Sequence, residues 1–423
     1  MRAQMEDFRP AGRGDKTVVA VMGHPTRVRI LMAMNAPKRR LTPSRFSDET
    51  GLDIRHCAYH FGQLVKARCI NLVETRPGIR GSVEHVYEPR DTALAWTSEW
   101  EVLSPKVKRA VLTSVYKAAV ETLGSAIDGG TFESRDDSHL SWNTIEVDEV
   151  GWIEMAGVFD RALEDLTAVE KACTSRIAEG DEFFVASHFM FTFESPRRFD
   201  PMPSPGVTTR PRAPRPTKDK NRLRRRELRK GMSEEHIMTK AMAHPTRVRI
   251  LMAMNSPRRR MSASQFARET GLKLDRCAYH FRELEDFGCI ALVDSVPRRG
   301  ATENIYEPLK TALAWTDIWK SLGPIVKQSV LAKVMRGAVE ALGDAIDGGT
   351  FEARKESHLS WNTIEIDEIG WTQMATIFDR VLTEMMDLEK RCLRRIAGGS
   401  QFIVASFFMA TFESPKRIDS LKD

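Results

Sequence analysis

The sequence has no long apolar run. Its best candidates, Phe183–Phe193 and Phe402–Phe412, are about half of the roughly 20 residues a membrane-crossing helix needs, and both contain Ser or Thr. Residues 1–15 mix charge with Pro and Gly and lack the apolar core of a secretory signal. A cytoplasmic, nucleoid-associated protein with no membrane partner is therefore expected. Cysteine is scarce: six in 423 residues, none in a CxxC pair, which argues against a disulfide framework or a structural zinc site. No Ser/His/Asp constellation, phosphate loop or paired-carboxylate signature stands out. The chain does not read as an enzyme, and no catalytic residues, metal ligands or cofactors are expected.

What is present is a long internal repeat. The stretch His24 to Asn35 recurs letter for letter as His244 to Asn255, Asp128 to Glu133 as Asp347 to Glu352, and Thr192 to Pro196 as Thr411 to Pro415. All eight Trp and all six Cys fall into matched pairs. Self-similarity at this scale has to be settled before any motif is interpreted. Between the copies, residues 197–230 hold 13 Lys or Arg against three Asp or Glu. That excess is larger than the formal +6 of the whole chain, so everything outside the linker is on balance acidic, and the sequence pI near 9.0 belongs to the linker rather than to a basic body.

Within one copy, apolar residues at helical spacing mark a first helix over about 17–34, ended by Pro37. A second covers Thr42–Thr50 and stops at Gly51. A third covers Asp53–Ala67, with Ala58, Phe61, Leu64 and Val65 facing inward. Strands at Ile70–Thr75 and Val83–Glu88 flank a turn-rich tip containing Arg80. Three helices followed by strand, tip and strand predict a winged helix-turn-helix. The fourth segment starts with Trp96 and Trp100 on one helical face at Thr92–Glu101. It continues with a helix from Ser104–Pro105, a strand at Ser138–Val147, a helix capped by Asp148 and a strand at Phe183–Phe193.

The fold class expected is α+β and mainly helical: two tandem winged helices, each followed by a helical, two-stranded pairing region, docked as an intramolecular pseudo-dimer. The divisions are a tail over 1–14, winged helices over 15–90 and 232–309, pairing regions over 91–196 and 310–415, a basic linker over 197–231 and a tail over 416–423.

Several of these residues also resemble a known group. The run from His24 to Leu31, the helix carrying Tyr59, His60, Phe61 and Leu64, then Ile70 to Val73 and Gly81 to Tyr87, are similar to the ArsR-like winged-helix regulators of bacteria. The second copy matches through His244–Leu251, Tyr279, His280, Phe281 and Leu284, Gly288–Ile290 and Gly300–Tyr306. The resemblance covers about 75 residues per copy. It implies transcriptional regulation through double-stranded DNA, usually by repression. There are departures: Ala58 and Ala278 stand where many relatives have Ser, and Arg68 replaces a Gly that the second copy keeps as Gly288. The second helices lack the Cys pairs of the family's metal sensors.

A major groove about 12 Å wide admits one helix, with the wing reaching the backbone or minor groove. The expected base readers are Arg55, His56, Tyr59, His60 and Gln63 in the first copy. In the second they are Lys273, Arg276, Tyr279, His280 and Arg282. Arg80 in one wing, and Arg298 with Arg299 in the other, are the expected phosphate or minor-groove contacts. Because the two sets differ, two related but unequal half-sites are expected.

The linker has two open roles. It is long enough to act as a spacer, and Arg210, Arg212 and Arg215 with Arg222, Arg224, Arg225 and Arg226 can form a basic arm on DNA. The alternatives are a protein-interaction scaffold reusing winged helices, and a regulator whose unidentified small-molecule effector occupies the Trp-rich helical region near Trp96, Trp100, Trp142 and Trp152. Asp128, Glu133, Asp136 and Asp137 fit a solvated loop better than a cation site.

Overall fold

The computed structural model describes residues 19, 21–35, 39–78, 83–90, 103–132, 134–135, 137–195, 232–255, 260–298, 301–309, 323–351, 353–354 and 356–414. The tails, the linker 197–231, the Trp96/Trp100 segment and its counterpart 310–322 lie outside them.

In the first half, α1 (Pro25–Asn35), α2 (Pro43–Thr50) and α3 (Ile54–Lys66) precede a hairpin of β1 (Ile70–Pro77) and β2 (Val83–Pro89). The single helix expected over 17–34 is interrupted at Gly23 and His24, and α1 starts at Pro25, where a missing N–H costs nothing. The caps are local and legible. The Thr42 side chain accepts from Arg45 N, and Asp53 accepts from the N–H groups of Arg55 and His56. Gly51 closes α2 at φ 69°, a left-handed conformation natural to glycine. Arg68 holds a similar conformation at φ 56° with a full side chain, whereas the second half has Gly288 at φ 71°.

The first half continues with α4 (Pro105–Asp128), β3 (His139–Val147), α5 (Glu149–Glu179) and β4 (Phe184–Glu194). The second half opens with α6 (Glu234–Met242), α7 (Pro245–Asn255), β5 (Met261–Ser262), α8 (Ala263–Thr270) and α9 (Leu274–Asp286). It then runs through β6 (Ile290–Arg298), β7 (Ala301–Pro308), α10 (Pro324–Asp347), β8 (His358–Ile366), α11 (Glu368–Ala397) and β9 (Ile403–Glu413). Among the described residues, no helix is long and apolar enough to cross a membrane.

The sheet topology overturns the expected architecture. Two tandem units, each followed by its own two-stranded pairing region and docked as a pseudo-dimer, are not what the chain forms. The central sheet runs β3-β9-β4-β8. Outer strand β3 pairs with β9 of the other half, outer strand β8 pairs with β4 of the other half, and β4 and β9 pair with each other. Neither half closes this central sheet with its own strands, so the two interleave as a single intertwined domain. The physical reason lies in β4 and β9, which are buried along almost their entire length. A strand apolar on both faces needs neighbours on both edges and cover on both sides. Phe189, Phe191, Phe193, Phe408 and Phe412 point to the α4/α10 side. Ala186, Met190, Ala405, Phe407 and Met409 point to the α5/α11 side.

The two long helices lock this arrangement reciprocally. Asp148 caps α5 by accepting from Gly151 N, and Arg395 of α11 donates to the same carboxylate at 2.6 and 2.8 Å. Asp367 caps α11 through Gly370 N and is held by Arg176 of α5. The arginines keep both carboxyls well below the usual carboxylate range. Backbone approach is close at both caps: a Cβ on Gly370 would lie 2.1 Å from Cys173 Sγ, and one on Gly151 would lie 2.2 Å from Cys392 Sγ.

Of the aromatic residues considered for an effector pocket, Trp96 and Trp100 lie outside the described residues. Trp142 and Trp152 are buried in the core, and Trp152 donates to Glu356 across the halves. Asp137, expected in a solvated loop, accepts from Trp371 Nε1 at 2.5 Å. All six cysteines are free and buried.

Candidate nucleic-acid interface

The third helix of each unit is amphipathic, and its inward face is set by spacing. Cys57, His60, Phe61 and Leu64 are buried on α3, and Cys277, His280, Phe281 and Leu284 on α9. These positions recur at steps of three and four. Of the inward stripe expected from the sequence, Phe61 and Leu64 are buried and Val65 partly so, but Ala58 is exposed and Cys57 and His60 take the inward positions.

Most predicted readers lie on the opposite face. Arg55 and Tyr59 are exposed on α3, with His56 and Gln63 partly so. Arg276, Tyr279 and Arg282 are exposed on α9, with Lys273 at its N-cap. The Arg282 side chain lies along the helix, donating to Ala278 O at 3.1 Å. His60 and His280 are brought elsewhere: only 2% and 4% exposed, they are core residues and not on the reading face. Arg298 ends β6 at the wing tip. Arg80, Arg299 and the linker arginines Arg210, Arg212, Arg215, Arg222, Arg224, Arg225 and Arg226 lie outside the described residues.

The burial of these histidines explains the repeated run that starts at His24 and His244. The His24 ring accepts the Thr26 N–H at 3.2 Å and packs on His60 with centroids 4.1 Å apart. His244 accepts from Thr246 N at 3.1 Å and packs on His280 at 4.2 Å. Burial, followed by the neighbouring rings and arginines, pushes His60 and His280 down to about 4, so both stacks are neutral at neutral pH. Arg27 donates to Val21 O, and Arg247 to Ala241 O and Lys240 O, closing the turn before each helix. Arg29 pairs with Glu121 at 3.2 Å, and Arg249 with Glu340 at 3.2 Å and with Asp344. These pairs tie α1 to α4 and α7 to α10, and so anchor the three-helix unit of each half on the interleaved body.

Sequence reasoning missed the histidine stacks and the Arg29 and Arg249 ion pairs because those partners are more than 30 residues apart. It could have found the inward histidines, since Cys57, His60, Phe61 and Leu64 fit the helical period better than the stripe through Ala58.

Neither the curated proteins nor the solved structures give a match to this chain. A family model does: residues 242–291, from the end of α6 through α9 to the start of β6, match a helix-turn-helix domain.

Proposed function

We propose that the chain is a sequence-specific, double-stranded-DNA-binding transcriptional regulator of ArsR-like type that acts without catalysis. In this reading α3 and α9 enter major grooves. The observation that carries it is the helix-turn-helix match over residues 242–291, whose third helix exposes Arg276, Tyr279 and Arg282, with Lys273 at its start. The first half offers the same three helices and hairpin with a different exposed set: Arg55, His56, Tyr59 and Gln63.

The two helices therefore read unequal half-sites, and repression by occupancy is the regulatory mode we assign. Both are mounted on one interleaved body, so their spacing is set by the fold.

Salt dependence tests the reading. If several phosphates are neutralised, affinity for duplex DNA falls by about a thousandfold or more between about 50 and 200 mM salt. Binding that does not weaken over that range contradicts it. Arg276→Ala sharpens the test, since loss confined to one half-site, worth about 1–3 kcal/mol, is the mark of direct base contact.

A further inference from the structure

The first half differs from the second at one position beside the buried histidine stack. His56 sits one helical turn before His60 on α3, with its ring centroid 4.5 Å from His60 and 5.8 Å from His24. One ring nitrogen from each of His24, His56 and His60 lies within 4.8 Å of the others. In the second half the stack of His244 on His280 is kept, but Arg276 stands where the third imidazole would be.

We propose that His24, His56 and His60 form a tris-imidazole site for a divalent transition-metal ion, present in the first half only. Three nitrogen donors with no thiolate suit Zn²⁺, Co²⁺, Ni²⁺ or Cu²⁺, with a fourth position left for water. Metal–nitrogen bonds of about 2.0–2.1 Å place tetrahedral donors roughly 3.4 Å apart. The rings are thus close to a ligating arrangement, and the partly exposed His56 can complete it by rotating.

His24 and His60 already stack with centroids 4.1 Å apart, so two of the three donors are in place before any ion arrives. His56 Nε2 now lies 3.1 Å from Thr26 Oγ1, so coordination there displaces one hydroxyl and no salt bridge. The nearby charges are Arg27, which lies 3.5 Å from His60 Nδ1, and Glu121, whose field offsets it at His24. Cys57 is fully buried and is not part of the ring cluster.

The site does not depend on DNA binding, and its test uses the full chain without DNA. After treatment with a chelator, titration calorimetry with Zn²⁺ and the absorption spectrum with Co²⁺ should both report one ion per chain. His56→Arg, which copies the second half, should weaken Zn²⁺ binding by at least about tenfold. Arg276→His should raise the count to two. Thermal melts of both variants establish that they fold. No stoichiometric ion on the intact chain, binding unchanged by His56→Arg, or a count that stays at one in folded Arg276→His would each overturn the proposal.

Discussion

The interleaved centre and the third helices of this protein, α3 and α9, treat the same internal repeat in opposite ways. At the caps that lock the centre the matched residues are identical: Asp148 and Asp367, Gly151 and Gly370, Cys173 and Cys392, Arg176 and Arg395. On α3 and α9 they part: His56 against Arg276, Gly62 against Arg282, Gln63 against Glu283. The geometry accounts for the contrast. Each central residue contacts its counterpart's half, so a change on one side must be met across the interface. A residue on the solvent face of α3 or α9 is free of that constraint.

The largest effect that bears on this contrast is expected at the caps. Asp367→Ala removes the cap of α11 and strands Arg176, and should destabilise the fold by about 2–4 kcal/mol, discounted from a fully buried pair because Arg176 is partly exposed. Asp148→Ala should cost a similar amount. Denaturant midpoints would show it, and a loss under about 0.5 kcal/mol for either variant would mean that the centre is not held by these reciprocal pairs.

Two smaller effects run the other way, where the halves differ and one carries the poorer residue. Arg68 occupies a left-handed conformation that the second half gives to Gly288, so Arg68→Gly should stabilise by about 1 kcal/mol. His188 is buried in β4, neither ring nitrogen has a hydrogen-bond partner among the described residues, and its counterpart is Phe407. His188→Phe should likewise stabilise by about 1 kcal/mol.

The two variants separate by pH. Burial pushes the His188 pKa down to about 4, so the unfolded chain binds the proton more readily. Stability from this group is present above the ordinary histidine pKa, near 6.5, and declines as pH falls toward 4. His188→Phe should flatten that decline and Arg68→Gly should leave it unchanged. Equal acid sensitivity in both variants would remove His188 from the account.

Local structure was legible in the sequence because its causes are local. Thr42, Asp53 and Asp148 cap the helices they precede, Gly51 ends α2, and the β4 and β9 segments carry enough apolar side chains to be read as strands. The pairing was not legible. A strand buried on both faces records that it has neighbours, but not which half supplies them, so the pairing of β3 with β9 and of β8 with β4 had no signal in the sequence. At the candidate site, the exposed Arg55, Tyr59, Arg276 and Tyr279 could be read from helical phase. The convergence of His24 with His56 and His60 could not, because it arises from the packing of α1 against α3.

The most direct test of the central claim, that one interleaved body presents two unlike DNA-reading helices, is selection of bound sequences from a random duplex pool with the intact chain. A salt concentration of about 150 mM suppresses non-specific phosphate binding. The account predicts an enriched two-part motif whose halves are related but unequal, with Arg276→Ala relaxing only one of them. A perfectly palindromic motif, or no enrichment by a folded chain, would contradict it.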